Sequence, residues 1–101
     1  MVRELECECD KRSEIDIHTR FEFLNIRSFF ENEVDNDVFY EIKPEFPYYT
    51  WKQGVIEKKW FATKWYKCKL CGCLWEFQYP EFPAKGFVRK FSSGIYVERG
   101  F

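Results

Sequence analysis

Long hydrophobic runs are missing from this chain of 101 residues. No window of about 18 uncharged apolar residues exists, so no segment is predicted to cross a membrane. The N-terminal stretch MVRELECECDKR also lacks the apolar centre and the small-residue cleavage site of a secretory signal. These absences predict a cytoplasmic protein with no membrane partner. The length suits one domain over residues 1–101.

The residues from which most active sites are built are equally scarce. The single histidine, His18, falls on the polar side of an alternating segment, which is typical of a solvated residue. A glycine-rich phosphate loop is absent, because Gly86, Gly94 and Gly100 stand apart from one another. The carboxylates are numerous but scattered, and no spacing singles out an acid–base pair. The sequence therefore predicts a protein that is not an enzyme.

Aromatic side chains, in contrast, make up 22% of the residues, which is enough for a folded core although 33% are charged. Residues 15–23 alternate with a period of two, which predicts a half-buried strand. Its inward face would carry Ile15, Ile17, Thr19, Phe21 and Phe23. Residues 37–43 alternate in the same way, and this pattern predicts that Val38, Tyr40 and Ile42 face inward.

The remaining elements are also mostly strands. Ser28 followed by Glu31 fits a capping box and predicts a short helical turn. Gly54 predicts a turn or bulge, and residues 55–66 predict one long strand. The segments LWEFQY, GFVRKF and GIYVERGF predict further strands, the last two joined as a hairpin. We therefore expect a β-dominated fold, all-β or α+β, built as a small antiparallel sheet or an open barrel.

Two clusters of cysteines indicate a metal site. In KCKLCGCLWEF, Cys68 and Cys71 have the C-x-x-C spacing, lie between predicted strands and precede Gly72. Two sulfurs so spaced can face one zinc ion at about 2.3 Å, and glycine suits the tight turn. The second half of a zinc-ribbon-like site would come from the N-terminal C-x-C pair. The sequence thus predicts a structural, four-cysteine Zn²⁺ staple formed by Cys7, Cys9, Cys68 and Cys71.

The fifth cysteine and two other chemistries leave alternatives open. Cys73 is predicted to be a small buried residue, but it replaces Cys9 as a ligand if the N-terminal pair supplies only one sulfur. A disulfide framework requires an oxidising compartment, which nothing in the sequence indicates. A thioredoxin-like redox site requires C-x-x-C at the start of a helix, whereas strands flank it here. Structural zinc is therefore the favoured interpretation.

The net charge of −1 conceals a division between the two halves of the chain. Residues 1–50 contain 13 acidic and 6 basic residues, a balance of −7. Residues 51–101 contain 4 acidic and 10 basic residues, a balance of +6. Such asymmetry indicates either two surfaces for two kinds of partner or neighbouring strands that neutralise each other.

The acidic segment ENEVDNDVFYEIKPEF interleaves carboxylates with aromatic side chains. Aromatic residues anchor protein interfaces and acidic residues steer association, so this segment is predicted to dock on a basic protein such as a nuclease. A loop that simply faces water is the alternative. The predicted contact residues are Glu31, Glu33, Asp35, Asp37, Phe39, Glu41, Glu45 and Phe46.

The basic segments KKWFATKWYKCK and KGFVRKF allow a second interpretation. Their lysines could contact phosphates while Trp60, Trp65 or Tyr66 stacks on bases, as in a zinc-ribbon nucleic-acid-binding protein. The alternative is that these aromatic side chains form the core and the lysines protect sheet edges from aggregation. With so many aromatic residues in a short chain, most must be buried, so the second explanation is favoured.

The last third of the chain contains a recognisable set of residues: Trp65, Trp75, Glu76, Phe77, Tyr79, Pro80, Glu81 and Gly86. In these residues the chain resembles a family of small bacterial immunity proteins, which neutralise secreted or contact-delivered toxins. The resemblance implies a non-enzymatic β protein that binds one cognate toxin. Together with the acidic segment, it predicts an inhibitor that blocks the active site of a nuclease-type toxin domain.

Overall fold

The protein is described by a computed structural model that covers residues 9, 12, 14–81 and 84–97. In chain order the elements are β1 (Ile15–Ile17), α1 (Arg20–Asp35), β2 (Phe39–Ile42), β3 (Tyr49–Gln53), β4 (Ile56–Trp60), β5 (Lys64–Cys68), β6 (Leu74–Gln78) and β7 (Gly86–Phe91). Five strands form an open antiparallel sheet in the order β1-β7-β6-β5-β2, and β3 and β4 form a separate hairpin. The predicted β-dominated fold is confirmed.

The helix replaces much of the strand predicted over residues 15–23. Strand β1 ends at Ile17, and Thr19 caps α1 by accepting a hydrogen bond from the Glu22 backbone N–H at 3.1 Å. The Glu22 carboxylate accepts one from the Thr19 N–H at 3.1 Å, which completes a capping box. Because the capped helix satisfies the backbone locally, it overrides the period of two, and Phe21 is 74% exposed.

Helix α1 covers one face of the sheet. Phe30, fully buried at the centre of this layer, stacks on Tyr66 with ring centroids 4.6 Å apart and meets Trp75 edge-on at 5.7 Å. Phe23 extends the same layer by packing against Phe77 and Tyr79. The capping box predicted at Ser28 and Glu31 was wrong, since both lie inside this longer helix. The main core therefore lies between α1 and strands β5, β6 and β7.

The inward face of β2 also differs from the prediction. Val38 and Phe39 are both buried, whereas Tyr40 is 40% exposed. Asp37 adopts a left-handed backbone with φ of 63°, and the Val38 N–H donates to the Glu33 carbonyl at 2.9 Å. This turn places Val38 under the end of the helix before β2 begins. The strand then starts with Phe39 facing α1, opposite Cys68, whereas Ile42, predicted to face inward, is half-buried against the core on the other face of the sheet.

The second face of the sheet is covered by the C-terminal tail and by the segment that follows β2. Tyr96 stacks on Trp65 at 4.7 Å, and its hydroxyl donates to the Glu76 carboxylate at 2.8 Å. Glu76 in turn accepts from the Arg89 guanidinium at 2.6 Å, and all of these groups are largely withdrawn from water. Residues 95–97 therefore pack as a coil, and the predicted hairpin partner of β7 does not form among them.

The region predicted as one strand, residues 55–66, is divided between two sheets. Strand β4 ends at Trp60, and β5 starts at Lys64 after a short break. Gly54, with φ of 59°, forms the predicted turn between β3 and β4. We name this hairpin, residues 49–60, the arm. None of the described helical residues forms a helix long and apolar enough to cross a membrane.

Candidate metal centre and acidic groove

The C-x-x-C segment forms a tight hydrogen-bonded turn between β5 and β6. The Gly72 N–H donates to the Cys68 carbonyl at 3.0 Å, and the Cys68 N–H donates to the Cys73 carbonyl at 2.9 Å. Gly72 has φ of 79°, a left-handed conformation that is free of strain only without a Cβ atom. We name residues 68–73 the knuckle. Its position between strands, as predicted, gives neither Cys68 nor Cys71 the helix N-terminus that activates thioredoxin-like thiols.

Cys9 joins the knuckle from the other end of the sequence. The sulfur atoms of Cys9, Cys68 and Cys71 all lie within 4.8 Å of one another. The Trp75 indole N–H donates to the Cys9 sulfur at 3.4 Å, and the Lys90 ammonium donates to the Cys9 carbonyl at 2.8 Å. These two contacts, from β6 and β7, hold Cys9 against the sheet.

The three sulfurs have the spacing that a metal ion needs. In a tetrahedral zinc–thiolate site with Zn–S bonds of about 2.3 Å, sulfurs lie about 3.8 Å apart. The three sulfurs, all within 4.8 Å of one another, lie close enough together to bind such an ion, and Cys9 and Cys68 are buried while Cys71 is exposed. Cys7, the predicted fourth ligand, lies outside the described residues. Cys73 is buried in the core but is not part of the three-sulfur group, in agreement with its predicted role as a small buried residue.

Burial has the largest influence on the electrostatics of this group. Burial raises the pKa of the Cys9 thiol, the Trp75 hydrogen bond lowers it, and the neighbouring Cys71 and Cys68 raise it again. Three thiolates packed together would repel one another in such a buried place. A divalent ion removes that repulsion by binding the thiolates directly. The three cysteines could therefore hold a metal ion as thiolates.

A second candidate site is a groove beside β2 and β5, which we name the acidic groove. Its carboxylates come from two elements, Glu31 and Asp35 from the end of α1 and Glu41 from β2. Val34, Lys64 and Tyr66 complete the lining of a space of about 290 Å³. The Lys64 ammonium donates to Glu41 at 3.0 Å, and this hydrogen bond raises the pKa of Lys64.

The other predicted contact residues do not join this groove. Phe39 is 1% exposed and packs among Phe29, Phe30 and Trp75, so its predicted role as a surface anchor was wrong. Phe46 is exposed but stacks at 5.8 Å on Tyr96, on the opposite face of the sheet. The acidic segment is thus divided between separate surfaces, because it runs from the end of α1 through β2 at the edge of the sheet.

The remaining acidic members of the predicted set also lie apart from the groove. Asp37 forms an ion pair with Lys69 of the knuckle. Glu33 is half-buried, and Glu45 is exposed in the segment after β2. Lys64 and Tyr66 were not predicted as groove residues. The alternation within β5 could have shown that they share a face, but nothing in the sequence shows which carboxylates lie opposite them.

Of the aromatic side chains predicted to stack on bases, the fold exposes only one. Trp65 and Tyr66 are 2% and 1% exposed, so they belong to the core, as the alternative interpretation held. Trp60 is 41% exposed and lies on the arm.

No family model, curated protein or solved structure matches the chain.

Proposed function

We propose that the protein is an immunity-type inhibitor, which binds a basic toxin domain of the nuclease type and blocks its active site. The observation that carries the proposal is the convergence of Glu31, Asp35 and Glu41 on one groove from two separate elements. Clustered carboxylates on a folded scaffold attract a cleft that is lined with basic residues for nucleic acid, and they occupy that cleft in place of the substrate's phosphates.

The binding surface needs a rigid support, which the metal centre supplies in this proposal. Cys9, Cys68 and Cys71 would hold Zn²⁺ together with Cys7, and the ion would tie the N-terminal segment to β5 and β6. Zinc bound by four sulfurs has no open position for water, so it stabilises the fold and takes no part in a reaction. A small domain gains most from such a staple, because its core alone provides little stability.

The function is tested by co-expression in a bacterial host with the toxin domain encoded beside this gene. We expect the wild-type protein to restore growth and the double variant Glu31→Lys/Asp35→Lys to fail, because the reversed charges repel a basic cleft. The matched control is Glu14→Lys, which reverses an exposed charge next to β1, at the opposite edge of the sheet. The proposal would be contradicted if the wild-type protein failed to restore growth. It would also be contradicted if the groove variant restored growth as well as the wild type does.

The metal is tested separately. Native mass spectrometry of the purified protein should show one bound zinc ion, and that ion should be lost in Cys68→Ser and Cys71→Ser. Cys7→Ser and Cys73→Ser form the decisive pair, since only the former should weaken zinc binding. A fully folded protein that contains no metal would refute the staple without bearing on toxin binding.

A further inference from the structure

The arm stands apart from the rest of the fold. Its two strands form a sheet of their own that is not hydrogen-bonded to the five-stranded sheet. Every residue of β4 is exposed, and Trp60, Ile56 and Val55 present apolar surface to water. A two-stranded hairpin is only marginally stable by itself in water. The arm is thus the part of the described structure that gains most from a covering partner.

The two faces of the arm differ in chemistry. The strand register places Tyr49 opposite Trp60 and Trp51 opposite Lys58 on one face. The Tyr49 and Trp60 rings meet at 5.2 Å, and Gln53 and Ile56 continue this face to the tip. It therefore combines three aromatic side chains with one lysine. Such aromatic residues typically supply most of the free energy of a protein interface.

The other face of the arm is already satisfied by its own charges. Glu57 pairs with Lys59 at 3.2 Å and with Lys52 at 3.4 Å, and the Lys59 hydrogen bond lowers the pKa of Glu57. Lys58, on the aromatic face, has no carboxylate partner among the residues that the structure describes. The aromatic face consequently combines apolar surface with one lysine that is not neutralised within the described residues, and a negatively charged partner complements it.

We propose that this partner is a second copy of the chain, whose acidic groove receives the aromatic face of the arm. The aromatic face carries one lysine and no carboxylate, whereas the groove is lined by three carboxylates and one lysine. Asp35 has no ion-pair partner in the described part of the chain, so it complements the unpaired Lys58. Val34, at the groove, adds apolar surface for the aromatic side chains.

A reciprocal exchange is possible because each protomer has both surfaces. Strand β2, which supplies Glu41 to the groove, is an edge strand of the five-stranded sheet. Each protomer thus offers the aromatic face of its arm and an acidic groove. Two copies related by a twofold axis then make the same contact twice, which is how closed homodimers form. Because the groove is shared, this dimer and a bound toxin exclude each other.

The dimer is tested by sedimentation velocity from micromolar to near-millimolar concentration. We expect the wild-type protein to reach a dimer and Trp60→Ala to raise the dimer dissociation constant about tenfold or more. Far-ultraviolet circular dichroism of this variant should keep the wild-type spectrum, because the arm is not part of the core. A wild-type protein that stays monomeric throughout this range would overturn the proposal.

Charge exchange gives the sharper test. The variants Lys58→Glu and Glu31→Lys/Asp35→Lys should each be monomeric, and an equimolar mixture of the two should form the dimer again. Lys85→Glu, an exposed charge just before β7, is the matched control and should dimerise normally. Mixed variants that remain monomeric would refute the arm–groove contact.

The same variants distinguish the dimer from nucleic-acid binding and from toxin binding. If single-stranded oligonucleotides bind the monomeric protein through Trp60, the aromatic face serves nucleic acid and the dimer is refuted. Neutralisation of the toxin depends on the groove alone, so Trp60→Ala should protect cells at least as well as the wild type. A protein that dimerises but does not protect would leave the arm–groove contact standing and remove the proposed function.

Discussion

Two hairpins that follow each other in the chain have similar turns but differ in their exposure to water. The arm turns at Gly54 and the knuckle hairpin, β5 and β6, turns at the segment with Gly72, and both glycines have positive φ. Yet β6 is almost entirely buried while β4 is entirely exposed. In β5 and β6 both faces have a covering layer, α1 on one side and the tail with Tyr96 on the other. Within the described part of the chain, no residue of the arm belongs to either of these core layers.

The difference shows that local turn and strand signals form a hairpin but do not determine its stability. The ion pairs of the two regions differ in exposure in the same way. The ion pair of the covered sheet, Glu76 with Arg89, is withdrawn from water, whereas the pair of Glu57 with Lys59 on the arm is exposed. A buried pair depends strongly on both partners, while an exposed pair contributes little. Changes in the covered hairpin should therefore have large effects, and changes in the arm should have small ones.

Removal of the proposed zinc ion should have the largest effect. Binding of zinc by thiolates supplies on the order of 10 kcal/mol toward folding in small domains, so chelation should unfold the knuckle hairpin and the sheet around it. We expect a strong chelator to lower the thermal midpoint measured by circular dichroism, and zinc to restore it. An unchanged midpoint after chelation, with metal loss verified by mass spectrometry, would show that tertiary packing alone maintains the covered hairpin.

Breaking the buried ion pair should have the next largest effect. Arg89→Leu leaves the Glu76 carboxylate buried beside Tyr96 without its cation, which should lower the free energy of unfolding by about 3–5 kcal/mol. Urea unfolding monitored by tryptophan fluorescence measures this loss. Lys59→Leu is the matched control on the arm and should leave the urea midpoint essentially unchanged. Equal effects of the two substitutions would remove the contrast between the hairpins.

The smallest of the three effects concerns alkaline pH. Burial raises the pKa of Tyr66 and Tyr96 above the ordinary value of 10.0. Above that pH the unfolded state loses phenol protons that the folded state keeps, so stability falls as pH rises. Each tyrosine should contribute about 1.4 kcal/mol of this loss per pH unit above its ordinary pKa.

Stability measured by urea unfolding from neutral pH to pH about 11 tests this sign. Tyr66→Phe and Tyr96→Phe should each reduce the slope of the alkaline loss. Tyr40→Phe, at an exposed position on β2, should keep the wild-type slope. A wild-type protein whose stability rose in this range would show that the two phenols ionise more easily in the folded state.

The parts of the fold that could be predicted are those whose sequence pattern involves only a few neighbouring residues. The knuckle depends on a spacing and a glycine, and strands β6 and β7 were predicted from their apolar runs. Helix α1 was not predicted, although the Thr19 and Glu22 capping box is visible in the sequence. The alternating apolar residues there also fit a strand, so a helix pattern and a strand pattern competed. The hydrogen bonds of the capping box favoured the helix.

The candidate sites were predictable only in part. The C-x-x-C pair was evident, and the sequence offered Cys9 as one of several distant sulfurs that could complete it. The acidic segment was evident too, but the prediction treated it as one surface. The structure places Phe39 in the core, Phe46 on the far face, and Glu31, Asp35 and Glu41 in the groove.

By itself, the sequence determined the knuckle turn, most of the strands, the scarcity of catalytic groups and the division of charge between the halves. Only the tertiary structure decided that Cys9 meets Cys68 and Cys71, which carboxylates share a groove, and which hairpin is covered. The physical reason is range. Backbone conformation and turn hydrogen bonds depend on neighbours within a few residues, whereas a site assembled across the sheet depends on which faces pack together.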